Sequence, residues 1–293
     1  MLAVLSLFLI YLHVNAVGIS KSGKSGSSSS ALQGSSHTYH IYIESTDAFQ
    51  VAYHATFPVF LERSIGNHLN RPGMRLRSIR NMKFKNPAIM GNTVQFEVDG
   101  DGTGAKCMDG TSMRELYTAR KAFLLEQSWI YGPLRLPLIA DSLALHKSEY
   151  TVYPDEMQQD INNVNIRKLT TRTIFNLFER ARTDLLGGPA ALADLLKSDF
   201  KVYVVRITNY ELISDIMLSK TEKNASTFSL EVWSQIALVG KSMVDFYQQV
   251  VLVQEGKDDL EHRVLAAATI TCCSIDAMSG NPAPLPGTWA LAT

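Results

Sequence analysis

The sequence predicts an α+β protein built of two similar units, each a long helix laid on an antiparallel β-sheet. Three observations carry that expectation. Residues 57–69 and 174–185 each place apolar side chains at helical spacing. The two segments share a tripeptide pattern, Leu61-Glu62-Arg63 in the first and Phe178-Glu179-Arg180 in the second, which marks an internal repeat. Each is followed by several β-rich runs bounded by turn residues.

A chain of 293 residues has room for two domains of ordinary size. Its 46% hydrophobic content supplies a sizeable core. Lys plus Arg and Asp plus Glu both number 28, so net charge gives no sign of a nucleic-acid partner. Three cysteines, two of them adjacent at Cys272 and Cys273, cannot form a disulfide framework.

In chain order, residues 2–12 are an apolar run too short to span a membrane, and Val14-Asn15-Ala16 closes it with small residues. Residues 1–16 therefore read as a signal peptide. Residues 17–36 are Ser-rich and basic with no acid, which fits either a transit peptide in a bipartite plastid leader or a linker in a secreted protein. Residues 18–25 (GISKSGKS) match the P-loop pattern, but no strand precedes them and no helical periodicity follows, so nucleotide binding is not expected.

Residues 37–44 alternate and read as a strand. Thr56 is positioned to cap the next helix, and Pro58 suits its first turn. Phe57, Phe60, Leu61, Ile65 and Leu69 form one apolar face, and residues 70–73 (NRPG) stop the helix. Strands are expected at 74–84, 93–98 and 113–127. Residues 99–104 (DGDGTG) resemble the start of a calcium loop, but Gly110 stands where the bidentate Glu belongs, so a hairpin turn is expected.

The second unit repeats the plan over residues 150–187. Ile174, Phe178, Ala181 and Leu185 make the apolar face, and Gly187-Gly188-Pro189 ends the helix. Strands follow at 200–209, 227–237, 242–253 and 264–276. The basic run of Arg63, Arg71, Arg75, Arg77, Arg80, Lys83 and Lys85 lacks any acid between, and reads as a solvated strand face or a surface for an anionic carrier.

Residues 46–63, TDAFQVAYHATFPVFLER, resemble the signature of the 4-hydroxybenzoyl-CoA thioesterase-like hotdog family, a strand ending in Thr-Asp-Ala, a Val-x-Tyr-His loop and a long helix. The resemblance implies a double hotdog, with the first unit at 37–140 and the second at 146–293. It also implies a thioesterase acting on acyl-CoA or acyl-ACP without a cofactor or metal. The mature chain would have no membrane span and no nucleic-acid partner, and a homo-oligomer of double hotdogs is a further expectation.

Thioester hydrolysis needs a carboxylate, donors for the oxyanion and a place for the carrier. The resemblance assigns the carboxylate to Asp47, with Tyr53 and His54 in the loop beside it. Glu156 stands at the matching place in the second unit. There the EMQQDINNV segment resembles the Asp-x-Asn-x-His-x-Asn-Asn segment of plant acyl-ACP thioesterases, keeping only Asn162 and Asn163 by identity. Glu62 and Glu179, each beside an Arg, read as solvated helix residues, although some relatives place a carboxylate there. Read from residues alone, Asp47 could equally be a turn residue, and His54 a packing residue. The competing readings are a hotdog dehydratase or hydratase centred on His54, a non-catalytic acyl-binding protein, and a cysteine nucleophile at Cys107, Cys272 or Cys273. Asn224-Ala225-Ser226 is a glycosylation sequon, usable only in the secretory pathway.

Overall fold

A computed structural model describes residues 34–42, 54–124, 145–153, 156–159, 166–217, 228–255 and 260–285, all within the unit Leu32–Thr293. Residues 1–33, Asp47, Tyr53, Asn162, Asn163 and the sequon at Asn224 lie outside the described residues, whereas Ser35 and Ser36, expected at the end of the leader, belong to the first strand of the folded unit and pair with Val98 and Glu97.

Among the described residues ten strands form one antiparallel sheet. In the first half these are β1 (Ser35–His40), β2 (Leu76–Phe84), β3 (Thr93–Val98), β4 (Gly104–Asp109) and β5 (Glu115–Leu124). In the second half they are β6 (His146–Val152), β9 (Phe200–Leu212), β11 (Phe228–Val239), β12 (Met243–Glu255) and β13 (Leu260–Asp276). The order across the sheet is β1-β3-β4-β5-β2-β9-β13-β12-β11-β6. The halves therefore mirror each other about the β2–β9 junction, where Ser78 pairs with Glu211 and Met82 with Ile207.

Two helices lie on this sheet and touch each other. Helix α1 (Thr56–His68) packs on β1, β3 and β5, and helix α2 (Thr171–Leu185) packs on β6, β11 and β12. The expected apolar faces are the buried ones, with Phe57, Phe60, Leu61 and Ile65 on α1 and Ile174, Phe178 and Ala181 on α2. Aromatic contacts join the layers. Phe57 meets Tyr117 edge-on at 5.0 Å, Tyr39 stacks on Phe60 at 4.5 Å, and Phe175 lies 5.0 Å from Tyr210. Such pairs add about 1 kcal/mol each beyond the burial of their area.

Several local expectations are corrected. Thr56 is the first helical residue of α1, not its cap; the cap position is Ala55, which offers no side-chain acceptor. In α2 the cap is Thr170, whose hydroxyl accepts from the Thr173 N–H at 3.0 Å. The first strand starts earlier than expected and ends at His40. Gly187 at φ 104° does end α2, but the chain turns at once into α3 (Gly188–Lys197), a helix that the Gly-Gly-Pro stop signal hid. A small second sheet of β7 (Met157–Gln159), β8 (Ile166–Leu169) and β10 (Ile216–Met217) also went unforeseen, because its strands are too short for alternation to show. The DGDGTG segment is the expected turn between β3 and β4. The Asp99 N–H donates to the Gly104 carbonyl at 2.9 Å, and Gly102 sits at φ 70°.

Candidate active site at the head of the first helix

His54 stands at the entry to α1, and α2 supplies its neighbours. Arg182 donates from Nη2 to His54 Nε2 at 3.2 Å and also to Glu179 Oε2. His54 Nε2 lies 3.5 Å from Glu179 Oε2. Because a guanidinium only donates, His54 Nε2 accepts, and the ring is the neutral Nδ1–H tautomer. Burial drives the His54 pKa down to about 4; Glu179 opposes that fall and Arg182 reinforces it. The ring is therefore uncharged at neutral pH, and its closeness to Glu179 is not an ion pair there.

Glu179 has the opposite tendency. Burial works to raise its carboxyl, but the Arg182 guanidinium, with His54 when protonated, outweighs burial and holds it below the ordinary value. At neutral pH, where His54 is neutral, the opposition to burial comes from the Arg182 charge and its hydrogen bond. The side chain of Glu179 is 34% exposed against 10% for His54.

A deeper layer fixes Arg182. Its Nη1 donates to Gln248 Oε1 at 2.8 Å, and Gln248 Nε2 donates to the Phe178 carbonyl and the Ser234 hydroxyl, both at 2.9 Å. Both Gln248 and Ser234 are fully buried. With its amide nitrogen so engaged, Gln248 can offer Arg182 only its oxygen. The guanidinium is thus anchored from β12 and holds Glu179 at the head of α1.

The repeat places a second constellation at the head of α2. Aligning Glu62 with Glu179 puts Thr171 where the first unit has His54. The contacts follow that alignment, since Glu62 Oε2 accepts from the Thr171 hydroxyl at 2.5 Å and from the Leu76 N–H at 2.6 Å. Burial pushes the Glu62 carboxyl up, against those two bonds and the nearby Arg75. Each helix carboxylate therefore meets the entry of the opposite helix. One meets a histidine and an arginine, and the other meets a threonine and a backbone amide.

Of the residues expected from sequence, His54 lies in this arrangement, while Asp47 and Tyr53 lie outside the described residues. Glu156 is committed elsewhere, accepting from the Tyr153 N–H at 3.1 Å and lying 3.6 Å from Arg180. The expectation that Glu62 and Glu179 are solvated is corrected: both turn toward the seam between the helices. The basic run is not a uniform solvated face either. Arg75 is buried on the Leu169 carbonyl and Asp215, Arg77 reaches Glu211, and Lys85 pairs with Glu115. Burial keeps the cysteines as thiols, with Cys272 pushed up to about 12, which argues against a cysteine nucleophile. Among the described residues no cluster of three or more His, Cys, Asp or Glu could hold a metal, and no helix is long and apolar enough to cross a membrane.

Sequence reasoning missed Arg182, Gln248 and the role of Glu179. One signal was available for Arg182. It follows Phe178 by one helical turn and Ile174 by two, so a charged residue sits on the apolar face of α2.

No family model matches the sequence, and no curated protein matches it. Solved structures do. A protein from Lactobacillus plantarum assigned as an oleoyl thioesterase superposes with a TM-score of 0.54 at 12% identity, over 83% of this chain and 96% of that one. The 12:0-ACP thioesterase from Umbellularia californica gives 0.52 at 10% identity, over 82% and 94%. An acyl-ACP thioesterase from Bacteroides thetaiotaomicron gives 0.51 at 10% identity, over 82% and 97%. At such identities the likeness speaks for architecture, and because it runs nearly the whole length of each of these proteins, the chain is a tandem hotdog.

Proposed function

We propose that the protein is an acyl thioesterase, hydrolysing acyl-CoA or acyl-ACP to free acid and thiol at the seam where α2 meets the head of α1. The observation that carries this reading is the convergence of ionised Glu179, neutral His54 and anchored Arg182 at that helix entry. The shared architecture with three proteins described as thioesterases supports it. On this reading the chain is two hotdog units, 37–140 and 146–293, each wrapped on its own central helix.

Glu179 is the carboxylate that acts on water or on the carbonyl. Arg182 occupies Oε2, so the reacting molecule is taken up at Oε1. The first-turn amides of α1 have no acceptor within the helix and form the positive end of its dipole, which suits them to a developing oxyanion. Water adds to the thioester carbon while its proton passes to the carboxylate; the C–S bond then breaks and the thiol leaves with that proton. Asp47, in the sequence leading into the same helix, is proposed as a second carboxylate of the site, with Tyr53 beside it. Glu156, held by Tyr153 and Arg180, is assigned a structural role.

The test is release of free thiol by the purified full chain from a panel of acyl-CoA and acyl-ACP substrates, with Asp47→Asn and Glu179→Gln measured beside it. Thiol release that falls at least 100-fold in Glu179→Gln, with folding intact, supports the mechanism at this helix entry, and a like fall in Asp47→Asn adds Asp47 to the site. Equal release by all three proteins overturns it. A second reading, a hydratase or dehydratase, is favoured by one observation, the placing of a carboxylate beside His54. It predicts hydration of an enoyl thioester without thiol release. The leader is proposed to bring the chain into the secretory pathway, for a plastid or for export. A fluorescent protein fused behind residues 1–33, which precede the first strand, that stays in the cytosol would exclude both destinations.

A further inference from the structure

A second polar cluster lies at the opposite end of α1. His68, the last helical residue, stands about 20 Å from His54 along the helix, at roughly 1.5 Å per residue. Its Nε2 is 3.1 Å from the Gly100 carbonyl, in the turn between β3 and β4, and its Nδ1 is 2.9 Å from Ser35 Oγ on the edge strand β1. His37, two residues along the same strand, places Nε2 2.9 Å from the same oxygen. Ser35, His37 and His68 are all half-buried, so the cluster can be reached from solvent.

The hydrogen-bond roles follow from one fixed point. A carbonyl oxygen only accepts, so His68 Nε2 carries the proton facing Gly100. In the neutral ring Nδ1 then has a lone pair, and Ser35 donates its hydroxyl proton to it. The remaining contact requires His37 Nε2–H to donate to Ser35 Oγ. Burial, and then the neighbouring His68, lower the His37 pKa, in keeping with a neutral ring. Ser35 thus has a base on its proton and a donor on its oxygen, and the base is oriented by a third group. That is the arrangement by which a weak hydroxyl nucleophile is activated.

From this juxtaposition we infer that Ser35, His68 and the Gly100 carbonyl form a nucleophilic site, separate from the one at His54, that takes activated acyl and phosphonyl esters. Ser35 Oγ attacks the acyl carbon as its proton moves to His68 Nδ1. With an ester the C–O bond breaks and the leaving alkoxide or aryloxide departs with the proton from His68; with a fluorophosphonate Oγ attacks phosphorus, the P–F bond breaks and fluoride leaves with that proton. Water, deprotonated by His68, then cleaves the acyl-Ser35 ester. His37 N–H stabilises the developing charge on Oγ. Aryl esters and alkyl fluorophosphonates suit the site because their leaving groups need least electrophilic help.

The experiment treats the full chain with an alkyl fluorophosphonate and maps the adduct by peptide mass spectrometry. The expected result is a single phosphonylated residue, Ser35. Labelling should disappear in Ser35→Ala and slow about 100-fold in His68→Gln, which keeps a donor for Gly100 but supplies no base. Thiol release should be unchanged in Ser35→Ala, and Ser35 labelling unchanged in Glu179→Gln, so the two sites stand or fall separately. Labelling no faster than in the urea-unfolded chain, an adduct at another residue, or equal labelling of His68→Gln would overturn the inference. Direct mapping on the native chain decides the matter even if a variant does not fold.

Discussion

Replacing His54 with Gln separates the buried titration of His54 and its partner Glu179 from the remaining acid-sensitive groups of the molecule. In the unfolded chain the imidazole has its ordinary value near 6.5, whereas burial brings the folded value to about 4. Between these values the unfolded chain binds the proton and the folded chain does not. Stability is therefore fully present above 6.5, falls as pH drops through that value, and stops falling near 4. Linkage gives a loss of about 2.5 kcal/mol between pH 7 and pH 4.5 from this one group. A Gln side chain keeps an oxygen to accept from Arg182 Nη2, so the variant should lie within about 1 kcal/mol of the native protein at pH 7. Urea unfolding followed by tryptophan fluorescence at the two pH values measures the difference. The native protein should lose about 2.5 kcal/mol more than the variant on acidification, and carboxylate effects common to both cancel. Equal losses would show that His54 titrates normally, and would refute the neutral, Arg-bonded imidazole at the helix entry.

Three further outcomes follow from the same contacts. Arg182→Met removes the cation that holds Glu179 and leaves Gln248 Oε1 without its donor. The expected cost is about 3–5 kcal/mol, read as a fall in Tm on the order of 10 °C. Glu62→Ala leaves the Leu76 N–H and the Thr171 hydroxyl without their acceptor and should cost about 1–3 kcal/mol in urea unfolding, while thiol release persists. Phe175→Ala opens a cavity against Tyr210 and Phe178, and calorimetry should show a loss of about 3–5 kcal/mol.

Much of the architecture was legible because it rests on periodicity. The strand at Thr93–Val98 alternates buried and half-buried residues without a break, and its sequence bounds are its structural ones. Helices α1 and α2 were legible from apolar faces that the sheet does bury. The small sheet was not, since Ile166–Leu169 is only 4 residues long and carries no readable period. Helix α3 was masked by the glycines that end α2, because the same residues that stop one helix can turn the chain into another.

The site was legible only in fragments. His54 was singled out by its place before α1, but its partners come from a helix more than a hundred residues later in the chain, which no local pattern reports. Glu179 looked like a surface acid beside an arginine. What changes its meaning is that α2 packs against α1, turning Glu179 inward to Arg182 and His54. Asymmetry between the halves was expected from the loops preceding the helices. The described structure expresses it at a different pair of positions, His54 and Thr171, facing Glu179 and Glu62 respectively.

The central claim is that thioester hydrolysis takes place where Glu179 reaches the head of α1. Its most direct test is the initial rate of thiol release from an acyl-CoA that the native chain hydrolyses, measured for native protein and Glu179→Gln with matched melting curves. The account predicts a fall of at least 100-fold in kcat/KM. A variant that folds normally and retains the native rate would contradict it.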